Sequence, residues 1–240
     1  MVPYVEAEEA RSLFGHDCFG PEAFAAFLGV DDLFGPVLAS EELEKSRRVP
    51  FSIDELKRAK SLGMVLVFRL SHDKYGHGLT IRYLREACLR GRAQARIASI
   101  FGDERKQPWY ETEGFARDEV PRPGWSLIRK EKIPGSLDRT WKDQSEILRQ
   151  WTEENGIQPE MIRRRTAVEA VYDDLLYYGQ NRREEIDLVY DWTATLASDG
   201  WPVLVSCYES RLWVDALSAD AREPCMGVYP ALLGHEFRGD

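Results

Sequence analysis

The last quarter of the chain differs in pattern from everything before it. From Ile186 onward, short β-prone segments follow one another, separated by turn residues: Leu188–Leu196, Trp201–Tyr208, Leu212–Leu217 and Cys225–Leu232. The helical periodicity lies before this point, and no helix alternates with these strands. This order predicts an α+β fold that ends in an antiparallel β meander, and it disfavours a doubly wound α/β fold.

Capping motifs and apolar spacing mark the elements of the earlier part. Ser52-Ile-Asp-Glu55 and Thr166-Ala-Val-Glu169 have the form of capping boxes, which begin helices. Trp141–Glu154 has apolar residues at helical spacing. Met64–Leu70 is an apolar, β-rich run that predicts a buried strand. The stretch Gly102–Pro123 has many charges and no periodicity, and it predicts a long loop.

Glycine and proline divide the first fifty residues into short segments. Val5–Phe14 and Pro21–Leu28 are predicted helices, and the second has proline at its first position. We expect residues 1–50 to form an N-terminal helical extension and residues 51–240 to form one α+β domain. A chain of 240 residues is long enough to bury a sizeable core.

Charge and hydropathy exclude several classes of partner. The net charge of −9 argues against nucleic acid, because phosphate binding needs a positive face. Arg163–Arg165 and Arg182–Arg183 are flanked by acidic residues, and we interpret them as solvated helix ends. The longest apolar run, Met64–Phe68, is too short to cross a membrane. Met1–Glu9 lacks the apolar core of a signal peptide, and the four cysteines form no CxxC motif, so a cytoplasmic location is expected.

No catalytic or metal-binding motif is evident. Ser71-His72-Asp73 are consecutive, whereas a catalytic triad is a spatial arrangement that consecutive residues rarely adopt. His72 and His77 have no third ligand nearby, so no zinc site is expected. Asp173-Asp174 and similar carboxylate pairs point about 100° apart on a helix, and we interpret them as solvated faces or helix caps. We therefore expect no catalytic residues, no cofactor and no metal, calcium included.

Segments near the C-terminus resemble the closing part of C-type-lectin-like domains: Tyr190–Thr195, Asp199–Val205 and Gly227–Leu233. In that group a Trp-Ser/Thr strand precedes a hairpin and a terminal Gly-Val/Phe-Arg-x-Ala-Arg strand; Tyr229 stands here where arginine is usual. Bacterial domains of this kind include formylglycine-generating enzymes and the variable proteins of diversity-generating retroelements. The resemblance implies that both ends of the domain meet in one small sheet, with Met64–Leu70 near Met226–Leu232.

The resemblance to variable proteins implies a ligand-binding surface within Ser206–Cys225. Such retroelements randomise adenines in AAY codons, and the resulting NNY codons never encode Lys, Glu, Gln, Met or Trp. We expect exposed side chains, clustered on one face, at Cys207, Tyr208, Arg211, Val214, Ala216 and Leu217. Trp213, Met226 and Val228 are expected to be buried scaffold beneath them. Trp201 and Trp213 also have the side chains of interface anchors, and both belong to the candidate ligand-binding set.

Two functions remain open. In the first, the chain is a binding module for a protein or peptide. In the second, it is an enzyme of unknown reaction, related to formylglycine-generating-type folds, with the Gly76–Gly78 turn and the Gly102–Pro123 loop as a lid. A plain structural domain is a further alternative. An ordinary hairpin would turn Val214 and either Ala216 or Leu217 inward, because strand residues alternate between faces.

Overall fold

Helices and three β-sheets make up the part of the chain that the structure describes. The computed structural model describes residues 3–28, 40–73, 75–89, 100–101, 107–179, 190–208 and 211–234. Helices and strands are both abundant in these ranges, which confirms the α+β class predicted from the sequence. No helix in these ranges has the length and apolar character needed to cross a membrane.

Within residues 3–28 and 40–50 there are three helices: α1 (Ala7–Phe14), α2 (Pro21–Leu28) and α3 (Ser40–Arg47). Three two-residue strands accompany them: β1 (Val5–Glu6), β2 (Cys18–Phe19) and β3 (Arg48–Val49). β1 and β3 pair antiparallel, so the predicted helix starts two residues later than expected. The reason is that Val5, a β-branched residue, lies buried opposite Val49 instead of opening a helical turn.

The middle of the chain alternates irregularly between helix and strand. Its helices are α4 (Ile53–Ser61), α5 (Ile81–Leu89), α6 (Gly114–Arg117), α7 (Trp141–Glu154) and α8 (Ala167–Gly179). Its strands are β4 (Met64–Arg69), β5 (Gly124–Arg129) and β6 (Ile162–Arg164). The predicted loop Gly102–Pro123 contains α6 and a 3-10 turn at Trp109–Thr112, because Tyr110 and Phe115 are buried and hold it against the core.

The C-terminal part contains five strands: β7 (Tyr190–Leu196), β8 (Pro202–Tyr208), β9 (Arg211–Ala216), β10 (Met226–Gly227) and β11 (Pro230–Leu233). The predicted single strand Cys225–Leu232 is therefore two strands. Between them, the Val228 amide donates to Ser136 Oγ at 3.4 Å and the Tyr229 amide to Asp191 Oδ1 at 3.2 Å. These side-chain bonds replace ladder bonds and let the chain pass from one sheet to another.

The strands of this region form two sheets. One has the order β10-β7-β8-β9, in which β7, β8 and β9 are consecutive antiparallel strands, the meander predicted from the sequence. The other has the order β2-β4-β5-β11-β6. β4 and β11 lie in this second sheet with β5 between them, so the expectation that the two ends of the domain share a sheet is confirmed.

Local sequence signals place the helices well. Ser52 and Glu55 form the expected capping box, with the Ser52 amide donating to Glu55 Oε2 at 2.7 Å. Thr140 and Asp143 form another, at the start of α7. The apolar stripe of α8 is fully buried, and Tyr172 from this stripe stacks on Phe24 with ring centroids 4.4 Å apart. The N-terminal helices therefore share the main core with the rest of the chain.

Candidate functional site

The meander has two faces with different surroundings. On β8, Val203, Val205 and Cys207 point to the side that α8 covers, and this side belongs to the main core. Leu204 and Ser206 point to the opposite side. We call this second side the outer face; it also carries Tyr190 and Trp192 of β7, and Arg211, Trp213 and Asp215 of β9.

β9 alternates strictly between these faces. Arg211, Trp213 and Asp215 are exposed, whereas Leu212 and Val214 are buried. Trp213 keeps 44% of its surface in solvent, so the expectation that it is buried scaffold is wrong. Its strand position explains this, because Trp213 lies opposite Ser206 on the face away from α8.

Two residues of the candidate variable surface are core residues. Cys207 is 6% exposed and Val214 is 7% exposed, so the expectation of solvent exposure is wrong for both. They turn inward by strand alternation and pack in the main core, as an ordinary hairpin requires for Val214. Met226 and Val228 are buried, as expected for scaffold.

The remaining candidate residues differ in exposure and lie at different places along the meander. Arg211 is exposed, as expected, and Ala216 and Leu217 are half-buried. Trp201 is 46% exposed in the turn before β8, at the opposite end of that strand from Tyr208. The side chain of Tyr208 lies outside the described part. The eight candidate residues therefore do not form one surface; Arg211 and Trp213 are the pair that the outer face brings together.

A small second core lies under part of the outer face. Trp192, Leu204 and Met226 form it, with half-buried residues packed against it: Trp141, Tyr190, Leu217 and Ala221. Two buried polar atoms here, Trp192 Nε1 and Ser206 Oγ, have no hydrogen-bond partner within the described ranges. Most buried polar groups in proteins are paired, so two such atoms this close together are unusual.

Acidic groups surround Tyr190 at the same face. Burial raises the pKa of the Tyr190 hydroxyl, and the neighbouring Asp215 carboxylate and Cys225 thiol raise it further. The phenol is therefore neutral at physiological pH, and it can serve as a hydrogen-bond donor beside an anionic side chain.

The edge of β9 that faces away from β8 contacts Ile100 and Trp109, and Trp109 lies in the predicted loop Gly102–Pro123. The Leu212 amide donates to the Ile100 carbonyl at 2.6 Å, and Trp109 Nε1 donates to the Val214 carbonyl at 2.8 Å. These bonds occupy outward-pointing backbone groups that another strand would otherwise pair with. Trp109 was not among the candidate residues; an exposed tryptophan in a charged loop is the only signal that could have indicated it.

Charged residues lie buried between α8 and the two large sheets. We call this group the ionic layer: Arg69, Arg165, Glu169, Asp173, Asp174 and Asp191. Asp173 and Asp174 are buried, and so is Arg165, so their interpretation as solvated residues is wrong. Asp173 and Asp174 lie between the apolar residues of α8 in the sequence, and they are buried because this helix is buried on more than one side. Arg182–Arg183 lie outside the described residues.

Guanidinium and carboxylate groups are closely paired within the ionic layer. Arg69 makes a bidentate contact with Asp173, with Nε to Oδ1 at 2.9 Å and Nη2 to Oδ2 at 2.6 Å. Arg165 donates from Nε to Asp191 Oδ2 at 2.9 Å, and from Nη1 to Asp173 Oδ2 at 3.2 Å. Since Arg69 is in β4 and Asp191 is in β7, this chain of contacts links the two sheets through α8.

Burial and pairing shift the pKa values in opposite directions. Burial raises the pKa of Asp174 to about 7, although nearby Arg165 lowers it. Burial would also raise the pKa of Glu169, but Arg69 and Arg163 lower it to about 2. Burial lowers the pKa of Arg165, yet the carboxylates of Asp191, Asp174 and Asp173 raise it overall. The three guanidinium groups, those of Arg69, Arg163 and Arg165, face four carboxylates, so protonation of Asp174 balances the charge.

Arg164 is a separate buried cation next to the second core. Its guanidinium lies 4.9 Å from the ring centroid of Trp141 and donates to the Trp192 carbonyl at 2.7 Å. Burial lowers its pKa to about 10. The interpretation of Arg163–Arg165 as a solvated helix end is therefore also wrong for Arg164. Residues 162–164 form β6, an edge strand of the five-stranded sheet, and the side chain of Arg164 is buried.

The Ser71–His77 turn does not form a triad. Ser71 Oγ lies 2.9 Å from His72 Nδ1, but Asp73 bonds to His77, whose Nδ1 lies 2.9 Å from Asp73 Oδ2. Tyr83 donates its hydroxyl to the same Asp73 oxygen at 2.5 Å. His72 pairs with Gly78 across a β-bridge, and this places it on the other face of the turn from His77. Asp73 therefore holds the turn closed and does not orient His72.

Within the described residues, no three histidine, cysteine, aspartate or glutamate side chains are grouped so that they could hold a metal ion. Comparison of the chain with protein families, with curated proteins and with solved structures gives no match.

Proposed function

We propose that this chain is a ligand-binding module that takes a protein or peptide on the outer face of its C-terminal meander. The observation that carries the proposal is the row of exposed side chains on β9, in which Trp213 stands between Arg211 and Asp215. Residues two apart on a strand lie about 6.6 Å apart on one face, which matches the repeat of an extended peptide. The row offers a cation, an indole ring and an anion.

Trp213 is the expected anchor. Tryptophan and arginine are the residue types that most often dominate the energy of protein interfaces. A half-exposed indole keeps apolar surface in water, and covering such surface gains about 25 cal/mol per Å². Ser206, whose Oγ has no hydrogen-bond partner within the described ranges, lies directly opposite Trp213 in the ladder, so a polar group adjoins the position of the anchor.

We further propose a C-type-lectin-like fold and kinship with the variable proteins of diversity-generating retroelements. Support for the fold is the meeting of β4 and β11 in one sheet beside a C-terminal meander. The variable positions are then Arg211 and Tyr208. The buried Cys207 and Val214 are left out, and so are Ala216 and Leu217, which pack against the main core and the second core, since packing positions cannot be randomised without cavities or overpacking. Trp213, which NNY codons cannot encode, is a fixed anchor beside the variable positions.

The coding locus tests this kinship. We expect a reverse-transcriptase gene and a near-copy of the Trp192–Leu232 coding region beside it. Substitutions among sibling strains should fall at adenines of the template copy, at the codons for Arg211 and Tyr208. A locus with neither feature would contradict the kinship and leave the binding proposal to be judged by itself.

Binding is tested with a displayed library of random linear peptides, selected on the immobilised full chain. Enriched peptides are then synthesised, and their dissociation constants are measured for the wild type, Trp213→Ala and Arg211→Ala. Loss of a central anchor costs at least about 2 kcal/mol, so Trp213→Ala should weaken binding by about thirtyfold or more.

Tyr4→Ala is the matched control, because Tyr4 is also a large aromatic residue, 49% exposed, and lies in the N-terminal segment. Its dissociation constants should equal those of the wild type. Failure to enrich any peptide, or equal binding by Trp213→Ala, would contradict the proposal.

The cysteines fit a cytoplasmic location, which we also propose. Cys18, Cys88, Cys207 and Cys225 are all free thiols. An enzyme remains the alternative, with the exposed imidazole of His77, held by Asp73, as a candidate reactive group. Ser71 bonds to His72 and not to His77, so the turn supplies a base without a nucleophile.

A further inference from the structure

A pocket lies on the far side of the five-stranded sheet from α8. It is bounded by α4, by the segment 156–161 that follows α7, and by β11. Its cavity volume is about 120 Å³. The apolar lining comes from Ala59, Leu62, Ile157, Met161 and Leu232.

An arginine stands at this pocket. Arg58 donates from Nη1 to the Gly156 carbonyl at 3.2 Å, and within the described residues it makes no ion pair. A Cβ at Gly156 would lie 2.9 Å from Arg58 Nη2, so glycine leaves room for the guanidinium in this position. Gly156 also has φ +54°, a conformation that favours glycine.

The other polar side chains of the lining are Glu55 and Gln158. Glu55 is engaged in the capping box of α4, where its Oε2 accepts from the amide and the hydroxyl of Ser52 at 2.7 and 2.8 Å. Its charge is therefore directed to the helix terminus. Arg58 is left as the group that can bind an ion entering the pocket.

We propose that this pocket binds a carboxylate that bears an apolar group of about the size of a leucine side chain. Size supports this ligand, because a protein cavity of about 150 Å³ accommodates benzene. Charge supports it too, because guanidinium and carboxylate groups form strong paired hydrogen bonds. A free branched-chain acid and the C-terminal residue of a peptide share this chemistry. The proposal is independent of the outer face of the meander.

Methionine labelling provides a local probe. The chain has four methionines, and Met161 is the one in the pocket lining. Protein labelled with ¹³C at the methionine methyl groups is titrated with 4-methylpentanoate, and the Met161 signal is assigned with Met161→Leu. We expect this signal to shift with a dissociation constant on the order of 1 mM, ordinary for a ligand of about eight non-hydrogen atoms. The Met226 signal, from the second core, should stay in place.

Two comparisons identify the ligand. The neutral amide, 4-methylpentanamide, should bind about tenfold more weakly than the acid, because it loses the ionic hydrogen bonds to Arg58. Acetyl-Gly-Gly-Leu is titrated beside its C-terminal amide. Tighter binding of the peptide acid than of 4-methylpentanoate assigns the pocket to peptide termini; equal or weaker binding assigns it to small acids.

Variants distinguish the contribution of the Arg58 charge to binding from that of the apolar cavity. Arg58→Gln should weaken acid binding by about tenfold or more and leave amide binding unchanged. Ile157→Trp should fill the cavity and weaken both ligands. Lys57→Gln, a neighbouring exposed cation on α4, is the matched control and should bind like the wild type. A Met161 signal that no ligand moves, or acid binding that survives Arg58→Gln unchanged, would overturn the proposal.

Discussion

The ionic layer and the outer face of the meander use the same residue types in opposite ways. In the ionic layer, Arg69 and Asp173 are fully buried and contact each other through two hydrogen bonds. On the outer face, Arg211 and Asp215 are exposed on either side of Trp213. Buried charges must be paired to offset their loss of water, whereas exposed charges stay hydrated and remain available. The first group therefore fixes how α8 joins the sheets, and the second can serve a partner.

Breaking the ionic layer should lower the free energy of unfolding more than any other change proposed below. Arg69→Met removes one cation and leaves Asp173 and Glu169 short of a partner in the interior. Removing one member of a buried ion pair costs about 3–5 kcal/mol, so the free energy of unfolding should fall by that amount. Denaturant unfolding followed by circular dichroism measures the change.

Arg211→Met is the control for this experiment, because it removes the same group from the outer face. Its free energy of unfolding should change by no more than about 0.5 kcal/mol. Equal losses in the two variants would remove the distinction between the two regions.

The pH dependence of stability should show the proton on Asp174. Its pKa is raised by burial from 3.8 to about 7, so the folded state keeps a proton that the unfolded chain has released. This contribution to stability is complete below about pH 4 and is lost as the pH rises through 7. Asp191, whose pKa burial also raises, acts in the same direction. Glu169, with its pKa lowered to about 2, contributes stability that is lost only as the pH falls from about 4.5 towards 2.

Asp174→Asn isolates the first of these groups. The variant should be close to the wild type in stability at about pH 4 and more stable than it at pH 8, by about 4 kcal/mol. Urea unfolding of both proteins across this range gives the difference curve. A difference that does not change with pH would show that Asp174 ionises in the folded chain as it does in the unfolded one.

Alanine substitution of two buried serines should change the stability less, and differently at the two positions. Ser126 and Ser206 are both buried strand residues. Ser126 Oγ accepts from Arg69 Nη1 at 3.3 Å, whereas Ser206 Oγ has no partner within the described ranges. Ser126→Ala should cost about 1 kcal/mol, and Ser206→Ala should be neutral or slightly stabilising, since it removes an unpaired polar atom. Thermal unfolding of the two variants checks this, and a loss at Ser206 as large as at Ser126 would contradict it.

Sequence reasoning was most accurate where local physics decides the structure. The capping box at Ser52, the bounds of α7 and the antiparallel meander follow from side chains and backbone close together in the chain. The same reasoning was wrong for Asp173, Asp174 and Arg165, because their burial depends on partners far away, such as Arg69 and Asp191. A carboxylate on a helix gives no sign of a distant arginine.

The candidate site shows the same division. Strand alternation correctly turns Val214 inward, but the resemblance to variable proteins overrode it at Val214 and Cys207. Trp213 was assigned to the scaffold by a codon rule, although its strand register places it on the outer face. The bond from Trp109 to β9 and the pocket at Arg58 do not follow from local sequence patterns, because both depend on contacts between segments far apart in the sequence.

The central claim is that a ligand binds the outer face at Trp213, and the tryptophan indoles test it directly. The chain has seven tryptophans, so ¹⁵N-tryptophan labelling gives a small set of indole signals, with Trp213 and Trp125 assigned by substitution to phenylalanine. A peptide selected on the full chain should shift the Trp213 signal and leave the signal of Trp125, 1% exposed in β5, unchanged. A bound peptide that leaves the Trp213 signal in place would contradict the account.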